Sequence, residues 1–193
     1  MGRERSQSAM VAAMDVLIRP PASSDRDEFL AAVHASRELH GEWMQPPDTA
    51  GSFDRYLGRS RDERMRCFLV RLAGSGELAG VVNASEVVRG HFQSAYLGFY
   101  AFAPHAGRGV MTRGLTAVLE RLFGEEGLHR VEANVQPGNQ RSLALVKRLG
   151  FRREGFSPRY LEVAGRWCDH ERWALLADEW SGSAGKTSVR DEG

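Results

Sequence analysis

Apolar residues recur along the chain in two rhythms, which sort it into strands and helices. Val16-Leu17-Ile18 reads as a first strand. Ser24 opens a helix, with Asp25, Asp27 and Glu28 where carboxylates favour the positive end of the helix dipole. Phe29, Leu30 and Val33 form its apolar face. In the stretch His40-Gly-Glu-Trp-Met-Gln-Pro-Pro-Asp, Pro46 and Pro47 exclude a regular helix. Ser52 through Met65 returns to helical spacing. Cys67–Leu72 and Leu78–Ala84 read as strands joined by a turn at Gly74-Ser75-Gly76. Tyr96–Phe102 is an aromatic-rich strand. Val110, Met111, Leu115, Val118, Leu119, Leu122 and Phe123 share one face of a helix. Strand-like Arg130–Val135 and helix-like Asn139–Leu149 follow. Gly150 sits at the stop expected past a helix end, before strand-like segments near 151–163 and 167–176.

This order, β-α-α-β-β-β-α-β-α-β-β, predicts a mixed α/β fold whose first half is largely antiparallel. A length of 193 residues suits one domain, placed at 15–180, with small, polar, aperiodic tails at 1–14 and 181–193. Lys and Arg number 26 against 25 Asp and Glu, a net charge of +1, which argues against bulk electrostatic binding of nucleic acid. No run approaches the ~18 apolar residues of a membrane helix, and Met10–Met14 is too short for a signal peptide. Cys67 and Cys168 lie far apart without a Cys-x-x-Cys. Neither a disulfide framework nor a zinc site is expected, and a reduced, cytoplasmic setting is. The aromatic run from Phe92 to Phe102 suggests a face for a homodimer.

Two segments carry candidate chemistry. In Phe102-Ala-Pro-His-Ala-Gly-Arg-Gly-Val-Met-Thr a strand ends, Gly107 and Gly109 turn the chain, and a long helix begins. Glycine lets backbone amides approach a ligand, and a helix start offers unpaired N–H groups, so the site suits a phosphate. It is neither a GxGxxG fingerprint nor a P-loop, and a tight strand-to-helix turn explains the glycines equally well. In the second segment, Pro137-Gly138 precedes Asn139, at a helix N-cap, and Ser142. Capping accounts for both side chains; so does a ligand held between this helix and the one before it.

Taken together and in this order, the strand, the Gly-x-Gly helix start, the next strand and Asn139-x-x-Ser142 followed by Leu149-Gly150-Phe151 resemble the GCN5-related N-acetyltransferase (GNAT) superfamily. Val87-Val88-Arg89-Gly90, Tyr96-Leu97-Gly98, His129-Arg130-Val131, Gly155-Phe156 and Gly165-Arg166-Trp167-Cys168-Asp169-His170 are similar to its RimJ/RimL branch of ribosomal-protein N-terminal acetyltransferases. The resemblance implies a mixed, mostly antiparallel sheet of six to seven strands, flanked by about four helices and splayed between the fourth and fifth strands. It implies acetyl-coenzyme A in that splay and no metal. Backbone around Phe102 would hold the pantetheine. Amides of Gly107, Arg108, Gly109, Val110 and Met111 would take the pyrophosphate, with Asn139 and Ser142 on the second cofactor-facing helix. His40 and Trp43 fall on the acceptor-side loop, and Asn134 faces the acceptor.

The chain departs from the family's pattern at three places. Pro104 replaces the Gln or Arg that often opens the pyrophosphate motif, Val146 stands where many relatives have a tyrosine acid, and Asn134 where a related branch has a glutamate base. Ser142 remains as the acid by analogy, with Glu86, Glu162 and Glu132 as base candidates that solvation alone would explain. An α-amine, with a pKa near 7.7–8.0 against about 10.4 for lysine, needs less help to lose its proton. The expectation is therefore acetyl transfer to a protein N-terminus, of ribosomal-protein type. The alternatives are a small amine (antibiotic, polyamine or amino acid) and a catalytically weak acetyl-coenzyme A-binding sensor or ribosome-associated factor.

Overall fold

A computed structural model describes residues 16–182; the tail expected at 1–14, and all but the first two residues of the one expected at 181–193, lie outside the described residues. Seven strands form one sheet: β1 (Val16–Arg19), β2 (Arg66–Leu72), β3 (Leu78–Val88), β4 (Ser94–Ala101), β5 (Arg130–Val135), β6 (Arg152–Val163) and β7 (Arg166–Leu176). Their order is β1-β2-β3-β4-β5-β7-β6. Every neighbouring pair is antiparallel except β4–β5. The helices are α1 (Arg26–Ala35), the single turn α2 (Arg37–His40), α3 (Ala50–Arg59), α4 (Val110–Glu120) and α5 (Gln140–Arg148). A π-helical turn, Arg121–Glu125, prolongs α4. This is the α/β order that the apolar rhythm predicts, with α2 added.

The parallel pair decides what the fold can do. Its ladder runs only from Ser94↔Arg130 to Leu97↔Ala133, after which β4 and β5 part. The Phe102 N–H donates to the Ala79 carbonyl of β3 at 2.9 Å. By the alternation of a strand, Phe99 and Ala101 therefore turn their backbone groups to the opposite edge, toward the gap.

One apolar cluster lies on each face of the sheet. The larger one packs Val110, Leu115, Val118 and Leu122 of α4 and its continuation against Val70, Val82, Leu97 and Val131. Gly114 permits the close approach, since a Cβ there would sit 2.8 Å from Val70. On the other face α1 and α3 bury an aromatic group of Phe29, Phe53, Tyr56, Tyr100 and Phe102. Phe29 lies 5.0 Å from Phe53 and 5.8 Å from Phe102, ring to ring.

Three local expectations need correction. Helix α3 spans 50–59 rather than 52–65, because Thr49 caps it, its hydroxyl accepting from the Ser52 N–H at 3.2 Å. The chain then turns at Asp62, whose carboxylate takes the Arg64 N–H. Ser24 does not open α1 but belongs to the 3-10 turn Ser23–Asp25. Asp25, 3% exposed, is a buried ionic hub that pairs with Arg19 and Arg71 and accepts from the Ala22 N–H. Finally, the run from Phe92 to Phe102 is not one exposed face. Phe92 is 71% and Tyr96 36% exposed, but Tyr100 and Phe102 are core residues, because alternate strand positions turn into the aromatic cluster.

Candidate active site

The chain between β4 and α4 is built for backbone contacts. Gly107 and Gly109 have φ of 75° and 77°, in the left-handed region that disfavours other residues. Gly109 is the N-cap of α4 and brings no side chain to cap it, so the first-turn N–H groups stay available. A Cβ on Gly107 would meet nothing within 4 Å. Around Gly107 the approach to the amides is open.

Helix α5 starts differently. Asn139 is its N-cap, and its side-chain oxygen accepts from the Ser142 N–H at 3.1 Å. Capping thus belongs to Asn139. Ser142 is half-buried, and its hydroxyl makes no hydrogen bond among those of the described residues. Arg141, Leu145 and Arg148 share the stripe beside it, and Arg148 donates to Thr112 of α4 at 3.4 Å.

These pieces meet in one cavity of about 760 Å³. Its walls include the parted edge of β4 (Phe99, Tyr100, Ala101), the loop residues His105, Gly107 and Gly109, Met111 of α4, Asn139 and Ser142 at the start of α5, and His40 and Trp43 from the segment after α1. Trp43 is locked there. Its carbonyl accepts from Gln136, and its ring covers Gly138 so closely that a Cβ would sit 2.8 Å away. Arg141 and Arg148 line it with one carboxylate, Glu38, an excess of cationic groups suited to phosphates.

Other residues named from the sequence stand elsewhere. Arg108 is exposed, and the Val110 side chain is buried in the core, so Val110 can offer a ligand only its N–H. Phe102 is fully buried and its N–H is bonded to β3; the edge turned toward the gap is carried by Phe99 and Ala101, whose carbonyl takes the His40 ring N–H. Glu86 sits at a bulge in β3 with φ of 50°, turned out to an ion pair with Arg64. Glu162 is exposed near the tip of the β6–β7 hairpin. Glu132 is paired with Arg130 at 2.9 Å. Asn134 pairs across the ladder with Arg172, and its side-chain oxygen is buried without a partner. None of these four lines the cavity.

A second hollow, of about 700 Å³, shares His40 and Met44 with the first. Arg37, Arg55 and Arg59 line it against a single carboxylate, Asp48. The pairing of Arg166 with Glu42 at 3.2 Å ties the tip of the β6–β7 hairpin to the segment that carries Trp43. Burial pushes the pKa of His40 down, opposed by its bond to the Ala101 carbonyl, and it raises those of Tyr100 and the Cys67 thiol. Neither cysteine is bonded to the other, and the described residues hold no cluster of three or more His, Cys, Asp or Glu that could bind a metal. No described helix is long and apolar enough to cross a membrane.

Sequence reasoning missed Arg141 and Arg148 as cavity walls, although their spacing with Leu145 on one helical stripe was visible. It also missed Arg37, whose place depends on the unforeseen turn α2.

A sheet splayed at its one parallel pair, with an uncapped glycine helix start beside the gap, defines an acyl-coenzyme A-dependent transferase fold. Residues 15–152 match the family model for the acetyltransferase (GNAT) domain, and the chain belongs to that family. It is 41% identical over 105 residues to the ribosomal protein uS5-alanine N-acetyltransferase of Escherichia coli, a match covering 54% of each chain. The chain thus spans about half the length of that curated relative. Among solved structures, Mycobacterium smegmatis RimJ in complex with CoA-disulfide superposes with a TM-score of 0.81 at 30% identity, covering 89% of this chain and 87% of that one. The spermidine N-acetyltransferase of Vibrio cholerae, in complex with CoA and spermine, shares the fold at a TM-score of 0.73. Its identity is 22%, over 86% of this chain and 97% of its own.

Proposed function

We propose that this chain is an acetyl-coenzyme A-dependent N-acetyltransferase whose acceptor is the N-terminal α-amine of a polypeptide, of the ribosomal-protein type named for its relatives. The observation that carries this reading is the single cavity joining the open glycine loop, the parted edge of β4 and the Ser142 hydroxyl. Acetyl-coenzyme A, when bound, supplies an acyl group activated as a thioester. The amides from Gly107 to Met111 hold its pyrophosphate, aided by Arg141 and Arg148. The backbone groups of Phe99 and the Ala101 N–H extend the sheet by bonding an amide-containing chain, which fixes the thioester against the acceptor side. Ser142, its N–H already used by Asn139, gives its hydroxyl proton to the departing sulfur. A cytoplasmic enzyme meets both substrates.

The acceptor side favours a peptide over a polyamine. A polycation needs carboxylates, whereas the hollow there presents three arginines to one aspartate. The decisive experiment is thiol release from acetyl-coenzyme A against peptides with free Ala, Ser, Thr or Met N-termini, their N-blocked lysine twins, and small amines. Turnover confined to free α-amine peptides is the expected result. Turnover confined to small amines would replace this reading with a metabolite acetyltransferase, and cofactor binding with no turnover on any amine would replace it with a sensor.

A further inference from the structure

We propose that His40 is the general base of this transfer: its free ring nitrogen takes the proton from the acceptor amine as the amide bond forms. The inference rests on the acetyltransferase reading and supplies the base that the sequence lacks. His40 ends α2 and is 6% exposed, its ring edge-on to Tyr100 at 5.4 Å and to Phe102 at 6.1 Å. Nε2 lies 2.9 Å from the Ala101 carbonyl oxygen. A carbonyl only accepts, so Nε2 carries the hydrogen and Nδ1 of the neutral ring keeps its lone pair.

Nδ1 makes no hydrogen bond among those of the described residues, and it is not among the side-chain atoms sealed from solvent without a partner. It therefore keeps some exposure, and the residue lines both hollows. The carbonyl that anchors the ring belongs to Ala101, on the parted edge of β4 where the thioester would lie. One residue thus stands between the acyl group on one side and the arriving amine on the other. Glu86, Glu132, Glu162 and Asn134 are all outside the cavity.

The surroundings keep the ring neutral. Burial disfavours the imidazolium, outweighing the carbonyl bond. Tyr100 on β4 is held in its neutral form. The charged and titratable groups around the two hollows are Arg37, Arg55, Arg59 and Asp48 on one side, and Glu38, His105, Arg141 and Arg148 on the other, with five arginines to two carboxylates. The step balances. The amine nitrogen bonds the acyl carbon, the carbon–sulfur bond breaks, and the amine proton passes to Nδ1 and from there to solvent. The sulfur takes the Ser142 hydroxyl proton, which solvent replaces.

The test compares wild type with His40→Gln, whose amide N–H can still donate to Ala101 but which is no base at neutral pH. The expected loss in kcat is about a hundredfold, the scale of one general base, with coenzyme A affinity within about twofold. The kcat/KM–pH profile of the wild type should fall below the acceptor amine's own pKa, near 7.7–8.0, and steepen again below about 6.5; in the variant that second steepening should disappear. In the resting protein, nitrogen NMR of the imidazole should show the Nε2–H tautomer, neutral at pH 7. Wild-type kcat in His40→Gln, a lost kcat with an unchanged pH profile, or an Nδ1–H tautomer would each overturn the base and leave the acetyltransferase reading standing. If wild type turns over no amine while binding coenzyme A, the acetyltransferase reading fails instead, whatever the tautomer.

Discussion

The two sides of the gap bind by different means. On the side proposed for the cofactor, the start of α4 and the end of β4 present mostly backbone: an uncapped helix start, glycines at φ of 75° and 77°, and a strand edge that parts from β5. On the acceptor side, α1 to α3 and the segment between them present side chains: His40, Trp43 and three arginines. On the function proposed above, the contrast follows from what each side is to bind. A pyrophosphate and a pantetheine chain do not change between relatives, so N–H groups that every sequence possesses suffice once glycine shapes them. An acceptor does change, and only side chains can distinguish it.

The strongest way to break this comparison is Gly107→Glu. It puts a carboxylate and a side chain with φ near +75° where the pyrophosphate is to sit. Losing two charge-assisted bonds of ~1.5–3 kcal/mol each predicts at least a hundredfold weaker coenzyme A binding by titration calorimetry. Unchanged affinity would remove the loop from the site.

Next in size is a contrast within α5. Ser142→Ala should lower kcat about a hundredfold while leaving the thermal midpoint unchanged, since Asn139 does the capping. Asn139→Ala should instead cost about 1 kcal/mol of stability, read as a fall of about 3 °C. Equal losses of stability in the two variants would make Ser142 a structural residue.

Gly138→Ala sharpens the acceptor side. Its methyl would meet the Trp43 ring at 2.8 Å and push that segment away. Acceptor KM should rise about tenfold, on the scale of one displaced aromatic contact, with coenzyme A affinity unchanged. Parallel losses in both would show that the two sides are not separable.

The smallest effect touches neither hollow. Asp25 has its pKa lowered: burial opposes ionisation, but Arg19, the Ala22 N–H and Arg71 together outweigh it. A carboxylate held below its unfolded pKa, near 3.9, contributes fully above that value and loses its contribution as pH falls through the folded one. The gap in thermal midpoint between wild type and Asp25→Asn should therefore narrow below about pH 4. A gap that stays constant down to pH 2 would show that the pairing contributes nothing.

The legibility of the chain follows the same division. The apolar rhythm placed the seven strands and the four longer helices, because each buries a periodic face, though it ran α3 six residues past its end at Arg59. Where the reading slipped, a side chain had been assigned to its neighbours in sequence rather than in space. Asp25 reads as a helix-start acid until Arg71, from another strand, reaches it. Thr49 was passed over as the cap of α3, although it stands three residues before Ser52. Glu86 and Glu162 looked like candidate bases because a carboxylate on a strand gives no sign of which way it faces; a bulge and a hairpin tip carry them outward.

The sequence by itself determined the order of elements, the family and the glycine loop, since these depend on local periodicity and on residues that tolerate positive φ. Only the tertiary structure decided which strand edge is left unpaired, that Asn139 rather than Ser142 does the capping, and that His40 reaches 61 residues along the chain to the Ala101 carbonyl. A contact between distant segments depends on how the sheet and helices pack, and no local pattern of residues records it.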